Sequence, residues 1–140
     1  MTGQLFEWEV VGRRKFAFDG HYLKWREALN WVIRNQSMID NDPLEPNTLM
    51  LSDLQFTVAD TIGVDANEIR IYSALGSAFD FFHGVDIFIA YEGKIVTIDL
   101  TVNESKRASG YKADIILSER DFEKEDIWGA AQRVASVLLA

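Results

Sequence analysis

Val85-Asp86-Ile87-Phe88-Ile89-Ala90-Tyr91 and Lys94-Ile95-Val96-Thr97-Ile98-Asp99-Leu100-Thr101, joined by Glu92-Gly93, decide how this chain folds. Both runs are rich in β-branched and aromatic residues, the composition of strands that pack on two sides. A two-residue connection ending in glycine makes them a hairpin. Counting back from that turn sets Ile89 against Val96, Ile87 against Ile98 and Val85 against Leu100, all apolar pairs on one face. On the other face the same count sets Asp86 against Asp99. A four-residue loop would keep this pairing, and a three-residue loop would break it. Two aspartates so opposed stand about 5 Å apart at Cβ, where like charges repel. A fold keeps such a pair when the carboxylates share a proton or a divalent cation. An oxygen-only pair points to Mg²⁺ or Mn²⁺. The alternative is a solvated aspartate at the sheet edge.

Working outward, Glu68-Ile69-Arg70-Ile71-Tyr72-Ser73 reads as a strand before the hairpin, and Lys112-Ala113-Asp114-Ile115-Ile116-Leu117 as one after it. Residues 74–83 read as a small-residue and aromatic connection. Ser52 or Asp53 caps a helix over about 50–62 that Gly63 ends. Asp121, Glu123, Glu125 and Asp126 open a final helix, with Ile127, Ala131, Val134 and Leu138 as its buried stripe. Toward the other end, 21–35 has helical spacing, residues 37–48 hold both prolines in a loop, and 5–18 read as two short strands around a basic turn. The expected architecture is a single α/β (α+β) domain: a mixed four-stranded sheet with flanking helices over 50–140, and a strand/helix addition over 1–49.

Composition narrows the chemistry. The 140 residues contain no cysteine and two histidines, which excludes disulfides, thiolate zinc sites and a cysteine nucleophile. No apolar run reaches the roughly 20 residues of a membrane span, and the polar start is unlike a signal peptide. A cytoplasmic protein without membrane partners is expected. Residues 1–36 carry six Lys/Arg against four acids, 37–100 two against eleven, and 101–140 six against seven, for a net charge of −8. Such a chain is no non-specific nucleic-acid coat. Arg13-Arg14-Lys15 could still contact phosphates, with Trp8 or Trp25 for base stacking. No Walker or dinucleotide loop is present, so no nucleotide cofactor is expected.

Helix, three-stranded meander, strand, helix, with Gly84-Val85-Asp86 on the second strand and Asp99-Leu100-Thr101 on the third, resembles the PD-(D/E)XK nuclease-like (restriction-endonuclease-like) superfamily over residues 50–140. The resemblance implies a metal-dependent nuclease in which Asp86 and Asp99 hold Mg²⁺ or Mn²⁺. It also implies an acidic contribution from the preceding helix, for which Asp53 and Asp60 are the candidates. The family's motif lysine orients or activates the attacking water, and here Thr101 stands in its place. Lys106 or Lys112 would have to substitute, unless both are simply solvated. His83, three residues before Asp86, is placed either to hold a phosphate or to pack among aromatics.

Three functions compete. The first is a metal-dependent phosphodiesterase acting on DNA or RNA. The second is a degenerate nuclease-like domain that binds or regulates. The third is an unrelated interaction protein whose opposed aspartates are accidental. Homo-oligomerisation stays open under all three.

Overall fold

The computed structural model describes residues 2–102, 112–123 and 126–140. Its centre is a mixed four-stranded sheet of β1 (Arg70–Ser73), β2 (Ile87–Tyr91), β3 (Lys94–Thr101) and β4 (Ile115–Ser118), in that spatial order. The first three strands form an antiparallel meander, and β4 runs parallel to β3. Helices α1 (Gly3–Val11), α3 (Leu49–Ile62) and α5 (Ile127–Leu138) pack on one face, and α2 (Trp25–Arg34) and α4 (Ala78–His83) on the other.

The hairpin forms in the expected register, with Ile87 opposite Ile98, Ile89 opposite Val96 and Tyr91 opposite Lys94. Its turn explains why. Glu92 and Gly93 both have positive φ, 48° and 77°, the hand that matches strand twist in two-residue hairpins. The pairing changes at the far end. Asp86 N donates to Ile98 O (2.9 Å), while the Asp86 carboxylate accepts from Leu100 N (2.7 Å). The side chain thus does what a backbone carbonyl would do in a continued ladder. Val85 consequently leaves the face of Leu100, its expected partner, and packs with Phe79 and Phe88 under α2 and α4.

The first 18 residues correct the expectation of two strands. Phe6-Glu7-Trp8-Glu9-Val10 alternates apolar with polar, which mimics a strand, yet it lies within helix α1. Thr2 caps that helix by accepting from Leu5 N (3.1 Å), and Phe6 and Val10, one turn apart, are wholly buried. Trp8 turns outward, where the Arg13 guanidinium lies 4.8 Å from its ring centroid. Residues 12–24 contain no regular element. Phe16 nevertheless enters the core beneath α2, its N–H donating to Leu75 O (2.8 Å). Gly76 (φ +82°) is required there, because a Cβ would run into the Phe16 carbonyl.

Other boundaries shift by a few residues. Helix α3 is capped by Thr48 rather than Ser52 or Asp53, and ends at Gly63 in the left-handed conformation. The stretch 74–83, read as a connection, contains α4, which Ser77 caps. Residues 119–122 form a 3₁₀ turn before α5, and Ile127, Ala131, Val134 and Leu138 are buried as expected.

Candidate functional site

At the end of the hairpin opposite its turn, the sheet opens into a cleft of about 700 Å³. Its carboxylates come from four elements: Glu7 on α1, Asp80 on α4, Asp86 before β2 and Asp99 on β3. Asp86 and Asp99 are 4 % and 5 % exposed. They share a side-chain hydrogen bond, so one of the two carries a proton when the bond is made. Asp80 lies next to them, its carboxylate held by Gly76 N (2.9 Å) and hydrogen-bonded to Asp86.

Burial pushes the Asp86 carboxyl well above the usual carboxylate range. The charge of Asp80 and the bond to Asp99 push it further, against the opposing pull of Leu100 N–H. Burial also raises Asp80, while the Gly76 N–H and the Lys15 ammonium restrain it. Acids so placed hold protons at pH values where isolated aspartates have lost them.

Several sequence candidates join the cleft and others do not. Asp86, Asp99 and Lys112 line it, and Lys112 Nζ donates to Phe82 O (3.0 Å) at its rim. Thr101 is buried in the wall. Lys106 lies outside the described residues. Asp53 and Asp60 are on exposed positions of α3, away from the cleft lining, because α3 buries Leu51, Leu54, Gln55, Val58 and Ala59 instead. His83 is a packing residue: its Nε2 meets Leu23 O at 2.8 Å and its ring lies by Tyr22 and Phe79. Arg14 pairs with Asp40 (2.8 Å) at the surface, Arg13 covers Trp8, and only Lys15 of the three acts on the acidic group, through Asp80.

Glu7 and Asp80 were not among the expected ligands. Asp80 had a signal, since Ser77-Ala78-Phe79-Asp80 is a helix-start pattern that fixes where its side chain points. Glu7 had one only if 3–11 is read as helical. Gly3 and Glu7, one turn apart, then line the cleft together.

The donors are all hard oxygens. Two carboxyls close enough to share a proton also suit a divalent cation in the proton's place. No three His, Asp or Glu residues among those described are grouped to hold one ion. A cation bound to Asp86 and Asp99 would therefore complete its shell with water and substrate oxygens, as Mg²⁺ commonly does. Among the described residues no helix is long and apolar enough to cross a membrane. Comparison with protein-family models, curated proteins and solved structures found no match.

Proposed function

We propose that this chain is a divalent-cation-dependent phosphodiester hydrolase with a PD-(D/E)XK nuclease-like core. One observation carries the reading: Asp86 and Asp99 are buried side by side in an open cleft, at the expense of mutual repulsion and desolvation. A site under no chemical demand has little reason to keep that arrangement. The meander order with β4 parallel to β3 is compatible with it.

Asp86 and Asp99 would hold Mg²⁺ or Mn²⁺, which when bound polarises a phosphoryl oxygen and acidifies water. The remaining steps belong to the chain. Leu100 N–H fixes one Asp86 oxygen and so orients the carboxylate. Asp80, raised by burial and adjacent to the pair, is positioned to take a proton from water entering the cleft. Lys112 brings a positive charge to the rim, where a phosphate would enter. Phe81, Phe82 and Val102 give the cleft an apolar side beside its carboxylates.

A second reading follows from Thr101, which stands, buried, where the family's motif has lysine. In that case the cleft binds a cation and a phosphate without hydrolysis. One assay separates the two. Protein stripped with EDTA is supplied with Mn²⁺ and given single-stranded, duplex and branched DNA and RNA. Cleavage that disappears in Asp99→Asn supports the hydrolase. Mn²⁺-dependent binding without cleavage supports the second reading. Loss of cleavage in Lys112→Ala, with metal-induced stabilisation kept, assigns the lysine; the same result in Lys106→Ala moves that role to residue 106.

A further inference from the structure

Beside the cleft lies a cluster of aromatic rings that core packing does not require. Phe18 and Phe81 stack at 4.5 Å between centroids with 19° between planes. Phe82 meets both edge-on, at 5.6 and 4.9 Å, and Tyr22 packs on Phe82 at 4.9 Å. Phe81 is 68 % and Tyr22 60 % exposed, so much of this ring surface faces solvent. Exposed rings in contact with one another have hydrophobic surface left over, which marks a binding site more often than a stability device. Phe81 and Phe82 also line the acidic cleft, four to five residues before Asp86. Shelf and carboxylate pair are thus one continuous surface.

Charge identifies the occupant. In a chain of net charge −8, Lys112 reaches Phe82 O and Lys15 acts on Asp80 beside Phe81, whereas Arg13 covers Trp8 and Arg14 pairs with Asp40. Lys15 and Lys112 are both exposed. A flat aromatic surface bordered by cations suits a polyanion with planar bases, and suits an apolar helix or an acidic peptide less well. Bases inside a duplex are already stacked and cannot reach such rings; unpaired bases can.

We infer that the Phe18–Phe81 stack, with Tyr22 and Phe82, is a stacking shelf for unpaired nucleobases, so that single-stranded nucleic acid is what the cleft receives. Its second half rests on the hydrolase reading above. The shelf itself does not. A base on Phe81 holds its strand at the cleft mouth, and the neighbouring phosphate then faces the carboxylate pair. The acids repel that phosphate unless a cation is bound, so occupancy of shelf and cleft together depends on divalent cation.

The test is fluorescence anisotropy of labelled oligo(dT), oligo(dA) and their annealed duplex with the intact chain in Ca²⁺, which favours binding over turnover. The single strands should bind more tightly than the duplex. Phe81→Ala should weaken single-strand binding roughly 5- to 150-fold, the range of one base–aromatic stack. Tyr22→Ala should weaken it less. Phe56→Ala, which removes an exposed ring on α3, should leave it unchanged. Equal affinity for duplex, or wild-type affinity in Phe81→Ala, overturns the shelf. So does self-association that Phe81→Ala abolishes without any oligonucleotide binding, since a second copy then covers the rings. Phe81-sensitive binding with no cleavage in Mn²⁺ leaves the shelf standing and removes the hydrolase. Cleavage indifferent to Phe81 does the reverse.

Discussion

Two buried carboxylate groups in this molecule are handled in opposite ways. At the end of β4, Asp121 accepts from Ser118 N (2.7 Å) and Ser118 Oγ (3.2 Å) and pairs with Arg133 (2.8 Å). Arg133 also donates to Ile116 O (3.2 Å), tying α5 to the last strand. Each of these partners favours the charged acid. At the end of β2, Asp86 has one such partner, Leu100 N–H, and is otherwise set against Asp80, Asp99 and the charge of Glu7. The first arrangement holds a fold together. The second resists ionisation until something positive arrives, and that difference separates a structural acid from a candidate ligand.

The contrast can be broken most directly by truncation at Asp121. Asp121→Ala leaves Arg133 and Ser118 N–H without their acceptor and should cost about 3 kcal/mol, the lower end for breaking a buried pair because Arg133 reaches solvent. Urea melts measure it, and Mn²⁺ should not restore the loss. A change below about 0.5 kcal/mol, the size of an ordinary surface substitution, would remove the structural role.

Metal addition comes next. Mn²⁺ at ~100 times its dissociation constant should stabilise wild type by about 2.7 kcal/mol, read as a raised Tm. Asp99→Asn should lose most of that gain, whereas Asp53→Asn and Asp60→Asn, out on α3, should keep it. An unchanged melting curve at millimolar Mn²⁺ counts against the cation site.

A third effect is a slope. Because the folded Asp86 carboxyl holds its proton more tightly than the unfolded one, the native state binds more protons between the unfolded value near ~3.9 and the raised folded value. In EDTA its contribution to stability is therefore complete below pH ~4 and is lost as pH rises through that window. Asp86→Asn, which cannot titrate, should flatten the fall, leaving a residue from Asp80, whose carboxyl is raised in the same sense. A pH profile of Asp86→Asn superimposable on wild type would mean that the pair does not hold its proton.

The smallest effect has the sharpest sign. Metal-free Asp99→Asn at pH 8 should be as stable as wild type or more stable by roughly 0.2–1 kcal/mol, since the charge that Asp99 sets against Asp80 is gone. Were Asp99 a structural acceptor like Asp121, the same change would cost about 1–3 kcal/mol with or without metal.

How far the sequence went follows from the range of the forces involved. The hairpin register was legible because alternation and a two-residue turn are local, and together they place Asp86 and Asp99 at one end. The break at Val85 was not legible, because it depends on the Asp86 side chain taking Leu100 N–H. Glu7 was hidden by a pattern that fits strand and helix equally, and only burial of Phe6 and Val10 decides between them. Asp80 sat inside an aromatic run whose short helix is held by packing on α2 more than by propensity. Asp53 and Asp60 misled because the resemblance assigned the acidic helix to α3, whereas α1 and α4 bring their acids to the cleft.

The meeting of Phe16 with Gly76 has a consequence for the order of events during synthesis. Residues 12–24 leave the ribosome long before Leu75, Gly76 and α4 exist to receive them. Helix α1 waits longer still, since Phe6 finally rests against Phe122. The N-terminal stretch therefore has no docking partner until the residues of the meander have been synthesised. A methyl group at residue 76 would clash with the Phe16 carbonyl and also strain a φ of +82° in the β1–β2 connection, so it would disturb the meander as well as the docking of Phe16.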